Sequence, residues 1–470
     1  MVFSSQIFLF YFLPLVLVGN YALPVRWRNA FITLASYVFY GWCNPWFVGL
    51  MLLSTLIDWT AGVLMCAPGA SPRRKKAVLL MSIASNLTLL AFFKYFMFAE
   101  ENVNRLLALF GRETLPVLKI ALPAGISFYT FESMSYAIDL YRGEAKRAKS
   151  FTDFTCFVAL FPHLIAGPIV RYRDLAGQLV ERPQRGELFR EGVFFFMTGF
   201  VKKVLLANTV SEPAVLCFDQ AHALGPAAAW FGTLCFYFQL YFDFSGYSDM
   251  AVGLGRMFGF RIVQNFASPY KADSFTEFWQ RWHLSLTAFL RNYVFIPLGG
   301  SRGSKWRIAR NTLLTFLLGG LWHGAAWRYL IWGGAHGLML VLERFSGKGS
   351  LWWFLPRPLR VAALVVVFQF NWIVFRCATL ADGASYLGAM FHGRGSASGQ
   401  AIVHGLVFQP LHVVALAACA LVTWAGVEAR LLAERARTSW LLIAGMFALF
   451  VLSVVALYAQ ADNPFLYFQF

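Results

Sequence analysis

Apolar runs long enough to cross a bilayer recur along the whole chain, at residues 6 to 24, 46 to 66, 77 to 98, 226 to 243, 360 to 375, 405 to 426 and 440 to 458. About 20 predominantly apolar residues in a helix cross the hydrocarbon core. Soluble domains break such runs with a polar face. A chain of 470 residues with 59% hydrophobic and only 13% charged residues is not a water-soluble domain. In lipid every backbone polar group has to be satisfied within the protein, so helices dominate. The expected fold class is therefore all-α, a polytopic integral membrane protein with one membrane-embedded domain over 1–470. Within it, 1–110 reads as N-terminal helices, 115–345 as a core built around a tunnel, 350–458 as C-terminal helices and 459–470 as an outer-face aromatic tail.

The net charge of +17 is carried by short basic clusters: Arg26/Arg28, Arg73 to Lys76, Arg182 to Arg190, Arg302 to Arg310 and Arg430 to Arg437. Cytoplasmic loops of membrane proteins concentrate Lys and Arg, which explains the charge without nucleic acid. Taking these clusters as cytoplasmic puts both termini on the outer face of the membrane. The opening segment MVFSSQIFLFYFLPLVLV lacks a basic leader and a small-residue cleavage site, so it reads as a retained helix. Seven scattered cysteines form no CxxC pair and read as small packing residues, with no metal site expected. A P-loop and HExxH are both missing, which removes the usual markers of nucleotide-driven transport and zinc proteolysis.

Between about 115 and 345, Gly, Pro, hydroxyl and charged residues interrupt the apolar pattern. Irregular backbone at membrane depth persists only inside protein or beside a water-filled cavity. The expectation is short or re-entrant helices around a polar tunnel, with Glu132, Asp139, Asp243 and Asp249 turned toward protein and paired. Of the five histidines in this region, two stand in the densest motifs, His283 in FWQRWHLSL and His323 in GGLWHG. A lone histidine in a helix is more often a hydrogen-bonded packing residue; His336 is given a structural role, and His163, His222, His392, His404 and His412 are read as structural or loop residues.

FPHLIAGPIVRYRDL, QLYFDFSGYSDMAVGLG, FWQRWHLSL and GGLWHG, in that order, resemble the membrane-bound O-acyltransferases, and specifically their bacterial alginate O-acetyltransferase branch. The resemblance implies an irregular ring of about a dozen helices around a tunnel open to both faces. It implies no bound cofactor, a cytoplasmic thioester donor such as acetyl-CoA, and transfer toward an exported polysaccharide with a periplasmic partner acetyltransferase of the SGNH-hydrolase type. It places the family's principal histidine on His323 and its second on His283. A hydroxyl needs a base as it attacks a thioester, so His323 is the expected general base, while His283 orients the donor or polarises its carbonyl. Trp322 and Trp282 are expected to wall the tunnel, and Arg281, Asp243 and Asp249 to contribute to tunnel or donor binding. Arg261, Lys271, Arg302 and Lys305 are further basic candidates for the inner mouth, where lipid headgroups are the ordinary partners of such residues.

The tail DNPFLYFQF has two readings. Tyr and Phe at a membrane edge commonly anchor in the interface. The tail also resembles the end of a small partner of the teichoic-acid D-alanylation system, whose tyrosine carries the acyl group, which makes Tyr467 a candidate acyl relay. A transporter whose histidines relay protons, and a scaffold that anchors a periplasmic enzyme, are the readings from other functional classes.

Overall fold

In the computed structural model, which describes residues 1–42, 44–182 and 186–459, all regular elements among those residues are helical. Tyr467 and the rest of the aromatic tail lie outside the described residues. Among the described residues five helices are long and apolar enough to cross a membrane: Trp46–Met65, Pro72–Leu109, Gly186–Asp219, Arg357–Arg376 and Trp440–Ala459. The pair Ala397–Val407 and Pro410–Ala425, bent by 61°, is a sixth if taken as one span. Pro410 accounts for that break, because the residue before a proline is driven out of the helical region. Gln409 is extended, with ψ 145°. The last of these helices turns Leu441, Phe447, Val451 and Val455 outward, the surface a lipid-facing span needs.

The chain packs as two compact units. The first consists of Met1–Val193 and Ala251–Val263. It contains α1 (Val25–Gly41), α2 (Trp46–Met65), α3 (Pro72–Leu90), α4 (Ile126–Arg142) and α5 (Phe151–Ala159). Its polar groups pair internally, as groups shielded from water must. Asp58 of α2 accepts from Ser82 Oγ at 2.5 Å and Asn86 Nδ2 at 2.9 Å, both on α3. Glu132 of α4 lies 2.7 Å from His163 Nδ1, with neither side chain exposed. The expected structural role of His163 thus takes the form of a buried pair with a carboxylate.

The second unit consists of Phe194–Met250 and the described chain from Gln264 onward. It takes in the end of α6 (Gly186–Val201), all of α7 (Asn208–Asp219) and most of α8 (Pro226–Met257), followed by α9 (Leu284–Leu290), α10 (Lys305–His323), α11 (Trp327–Ser346) and α12 (Arg357–Arg376). The apolar run at 226 to 243 stops at its first carboxylate, yet α8 is 32 residues long and runs on to Met257. It can do so because Lys203 and Lys202 neutralise Asp243 and Asp249 at 2.5 and 2.7 Å.

Helices α10 and α11 form an antiparallel hairpin whose backbones nearly touch. A Cβ at Gly320 would stand 2.2 Å from the Tyr329 carbonyl oxygen, and one at Gly333 would stand 2.3 Å from that of Phe316. Small residues allow such approach between membrane helices. The obstacles are backbone atoms, so Gly333→Ala has to push the helices apart. We expect it to cost about 1–3 kcal/mol and to lower the thermal midpoint in detergent; an unchanged midpoint would contradict the contact.

Candidate active site

The segment bearing His283 is built from short pieces. Ser274 caps the helix Phe275–Trp279 by accepting the Glu277 N–H. Glu343 of α11 accepts the Phe275 and Thr276 N–H groups at 3.1 and 2.7 Å and the Thr276 hydroxyl at 2.6 Å. A carboxylate on the first amides of a helix satisfies donors that have no intrahelical partner. The chain then turns through His283 into α9. His283 has φ 45° and ψ 53°, a left-handed conformation rare outside glycine. Such a conformation costs about 1–3 kcal/mol and persists only where its surroundings fix it. Here Asn265 does so: its carbonyl accepts the Leu284 N–H at 2.9 Å and its Oδ1 accepts the Ser285 N–H at 3.1 Å. The His283 ring is fully buried, edge-on to Phe244 at 4.7 Å and to Trp322 at 5.8 Å.

His323 ends α10, where Gly324 leaves the helix with an extended backbone. Its ring lies 5.0 Å from Trp322, 5.2 Å from Trp332 and 5.6 Å from Phe375. Trp322 therefore touches both histidines. The His323 ring is mostly buried and lines a cavity of about 580 Å³. Trp279, Leu286, Leu290 and Phe316 make its wall mostly apolar, and the cavity extends to exposed Arg291, Arg344 and Gly347. A volume in the range of roughly 300–1,000 Å³ and an apolar lining with a few polar groups are usual for a ligand site.

On its other side His323 faces only a gap of about 10 Å³, lined by Leu240, Phe244, Trp282, Trp332, Trp372 and Phe375. That space holds at most about one water. Beyond Phe375, a third cavity of about 330 Å³ is lined by Phe218, Asp219, His222, Arg376, Asp382 and Ser385, among others. Arg328 ties down this end of α12 by donating to the carbonyls of Arg376 and Cys377. The opposite end of α12 is held near the first cavity, where Arg360 pairs with Asp273 at 2.8 Å and Arg357 approaches Glu277 at 3.6 Å. Twenty helical residues at 1.5 Å each separate the two ends by about 30 Å, one membrane thickness.

The residues singled out in the sequence divide accordingly. His323, His283, Trp322 and Trp282 come together through shared aromatic contacts. Arg281 pairs with Glu277 at 2.7 Å and is not among the cavity-lining residues. Asp243 and Asp249 are engaged with their lysines and line none of the three cavities. The cations that do line the large cavity, Arg291 and Arg344, lie outside the recurrent basic clusters. Arg291 follows directly on the helix that the FWQRWHLSL motif opens; Arg344 depends on the hairpin and has no local signal. His336 is fully buried, with Trp332 at 4.8 Å and Trp279 at 5.3 Å, and does not line the cavity.

The sequence profile of the membrane-bound O-acyltransferase family matches residues 142–381. The chain is 45% identical over 394 residues to the probable alginate O-acetylase AlgI of Azotobacter vinelandii, covering 83% of this chain and 78% of that protein. It is 40% identical to the protein of the same description in Pseudomonas putida, over the whole of both chains. It is 33% identical to the peptidoglycan O-acetyltransferase of Helicobacter pylori, covering 83% of this chain and 80% of that protein. The matched region contains both histidines and the cavity between α9, α10 and α11. With relatives of this similarity across most of its length, the chain belongs to the membrane-bound O-acyltransferase family and is an O-acyltransferase.

Proposed function

We propose that the protein takes an acetyl group from cytoplasmic acetyl-CoA and passes it across the bacterial inner membrane for O-acetylation of an exported polysaccharide. The observation that carries this reading is the placement of His323 at the inner end of a largely apolar cavity whose rim carries Arg291 and Arg344. An apolar passage suits the donor's uncharged arm, and guanidinium groups at the rim suit its phosphates. The basic cluster Arg302 to Arg310 opens α10, which by the charge bias of loops makes this mouth cytoplasmic. The cavity at the far end of α12 then serves as the acceptor side. The relatives' names speak for a polysaccharide acceptor, with alginate the first candidate and cellulose or another exported glycan the next.

In the proposed step the acceptor hydroxyl oxygen bonds to the thioester carbonyl carbon while its proton passes to His323. The carbon–sulfur bond breaks, and the departing thiolate takes that proton from the imidazolium. An ester and a free thiol result, and the histidine is restored. Tyr467 is the proposed first acceptor, and a periplasmic SGNH-type acetyltransferase is the partner that takes the group onward. After incubation with acetyl-CoA, the C-terminal peptide should gain the mass of one acetyl group, and Tyr467→Phe should abolish that gain. An unmodified wild-type peptide during active turnover would remove Tyr467 from the path. The reading as a whole is tested with purified protein in liposomes and labelled acetyl-CoA. A transferase releases free CoA and puts label on an acceptor in equal amounts. Movement of a glycan without consumption of the donor would instead support a transporter.

A further inference from the structure

The role open to His283 depends on where its ring carries its proton, and one neighbour decides that. Asn265 is fully buried. One end of its amide accepts the backbone N–H of Ser285 at 3.1 Å and the Ser285 hydroxyl at 2.9 Å. A backbone N–H can only donate, so that end of the amide is the oxygen. His283 Nδ1 stands 3.2 Å from the same oxygen. Two acceptors gain nothing by facing each other, so Nδ1 is the nitrogen that bears hydrogen. In a neutral imidazole the other nitrogen, Nε2, is then a bare lone pair. Among the described residues neither His283 Nε2 nor Asn265 Nδ2 has a hydrogen-bond partner, although both are buried. A buried lone pair left without a protein partner is open to a hydrogen-bond donor that arrives with the substrate.

We infer that Asn265 is a positioning residue that holds His283 in the Nδ1–H tautomer, so that His283 meets the substrate as a hydrogen acceptor through Nε2. This rests on the acyltransfer reading above and reverses one role expected from the sequence. A neutral His283 held in this way cannot donate to the thioester carbonyl; it accepts from a hydroxyl or an amide N–H. The groups packed on its ring, Phe244 of α8, Phe266 and Trp322 of α10, do not titrate. The charged residues nearest in the chain to His283 and to Phe244 are Arg281 and Asp243, paired with Glu277 and Lys203. His323 follows Trp322 and packs on the same indole.

The test uses the full-length protein in liposomes, with kcat followed against pH. Asn265→Asp keeps the acceptor but adds a negative charge that favours the imidazolium, so the acidic limb should move about one to three pH units upward. Asn265→Ala frees the ring and should lower kcat about tenfold or more with KM little changed, because a histidine without the partner that fixes its tautomer presents the wrong nitrogen. Parallel loss of activity and thermal midpoint in both variants, with an unmoved pH profile, would reduce Asn265 to a structural residue. The tautomer can also be read without turnover, by nitrogen-15 spectra of histidine-labelled protein differenced against His283→Gln. A protonated Nδ1 and bare Nε2 are expected whether or not the protein proves to transfer acetyl. The opposite tautomer overturns the inference while leaving the function proposed above intact.

Discussion

Replacing His323 with Ala should lower acetyl transfer by roughly 10²- to 10⁴-fold, the range usual for removal of a general base, while the protein still inserts and folds. The fold should survive because the imidazole borders a cavity on one side and a small gap on the other, so truncation opens little new space. Its aromatic neighbours Trp322, Trp332 and Phe375 also pack on other rings that remain in place. Donor binding should change little, since the rest of the cavity wall is untouched. The measurement is single-turnover transfer from labelled acetyl-CoA beside a thermal midpoint for the same preparation. Transfer at the wild-type rate would take His323 out of the chemistry.

Asp243→Ala should be the most damaging single change to stability. Lys203 approaches Asp243 at 2.5 Å, and both side chains are almost fully buried. Removing one partner of such a pair leaves a charge that water cannot reach, typically at a cost of about 3–5 kcal/mol. The adjacent Phe244 packs against His283 at 4.7 Å, so displacement of this turn of α8 carries over to the site. We expect loss of folded protein in detergent extracts and of activity with it. The double change Asp243→Leu with Lys203→Met should recover most of the stability, because a buried ion pair replaced by apolar side chains is often neutral. If Asp243→Ala alone matched the wild-type midpoint, the pair would not be holding α8.

Much of the architecture could be read from hydropathy because a bilayer enforces it. The runs at 46 to 66, 360 to 375 and 440 to 458 each became one helix within a residue or a few of the expected bounds. The prediction that Glu132, Asp139, Asp243 and Asp249 turn inward also matches their burial. Polar residues are where the apolar criterion stopped short. It ended α8 at Asp243, since the lysines that neutralise its carboxylates come from a distant stretch of chain. It passed over Gly186–Asp219, where Lys202 and Lys203 interrupt the run yet are buried and paired. The site shows the same division. Motifs singled out His283, His323, Trp282 and Trp322, because those residues lie in short local patterns. Asn265, Glu343 and Arg344 were not legible, since each acts across long sequence separations that only the folded chain closes.

The central claim is that the cavity ending at His323 is where the acyl donor binds. It is most directly tested by placing a cysteine at Thr312, which lines that cavity, in a background depleted of the native cysteines. Its alkylation rate is then measured with and without saturating acetyl-CoA. The account predicts that the cysteine reacts in the free protein and is protected several-fold by the donor. An equal rate with and without donor, in a protein still active in transfer, would contradict it.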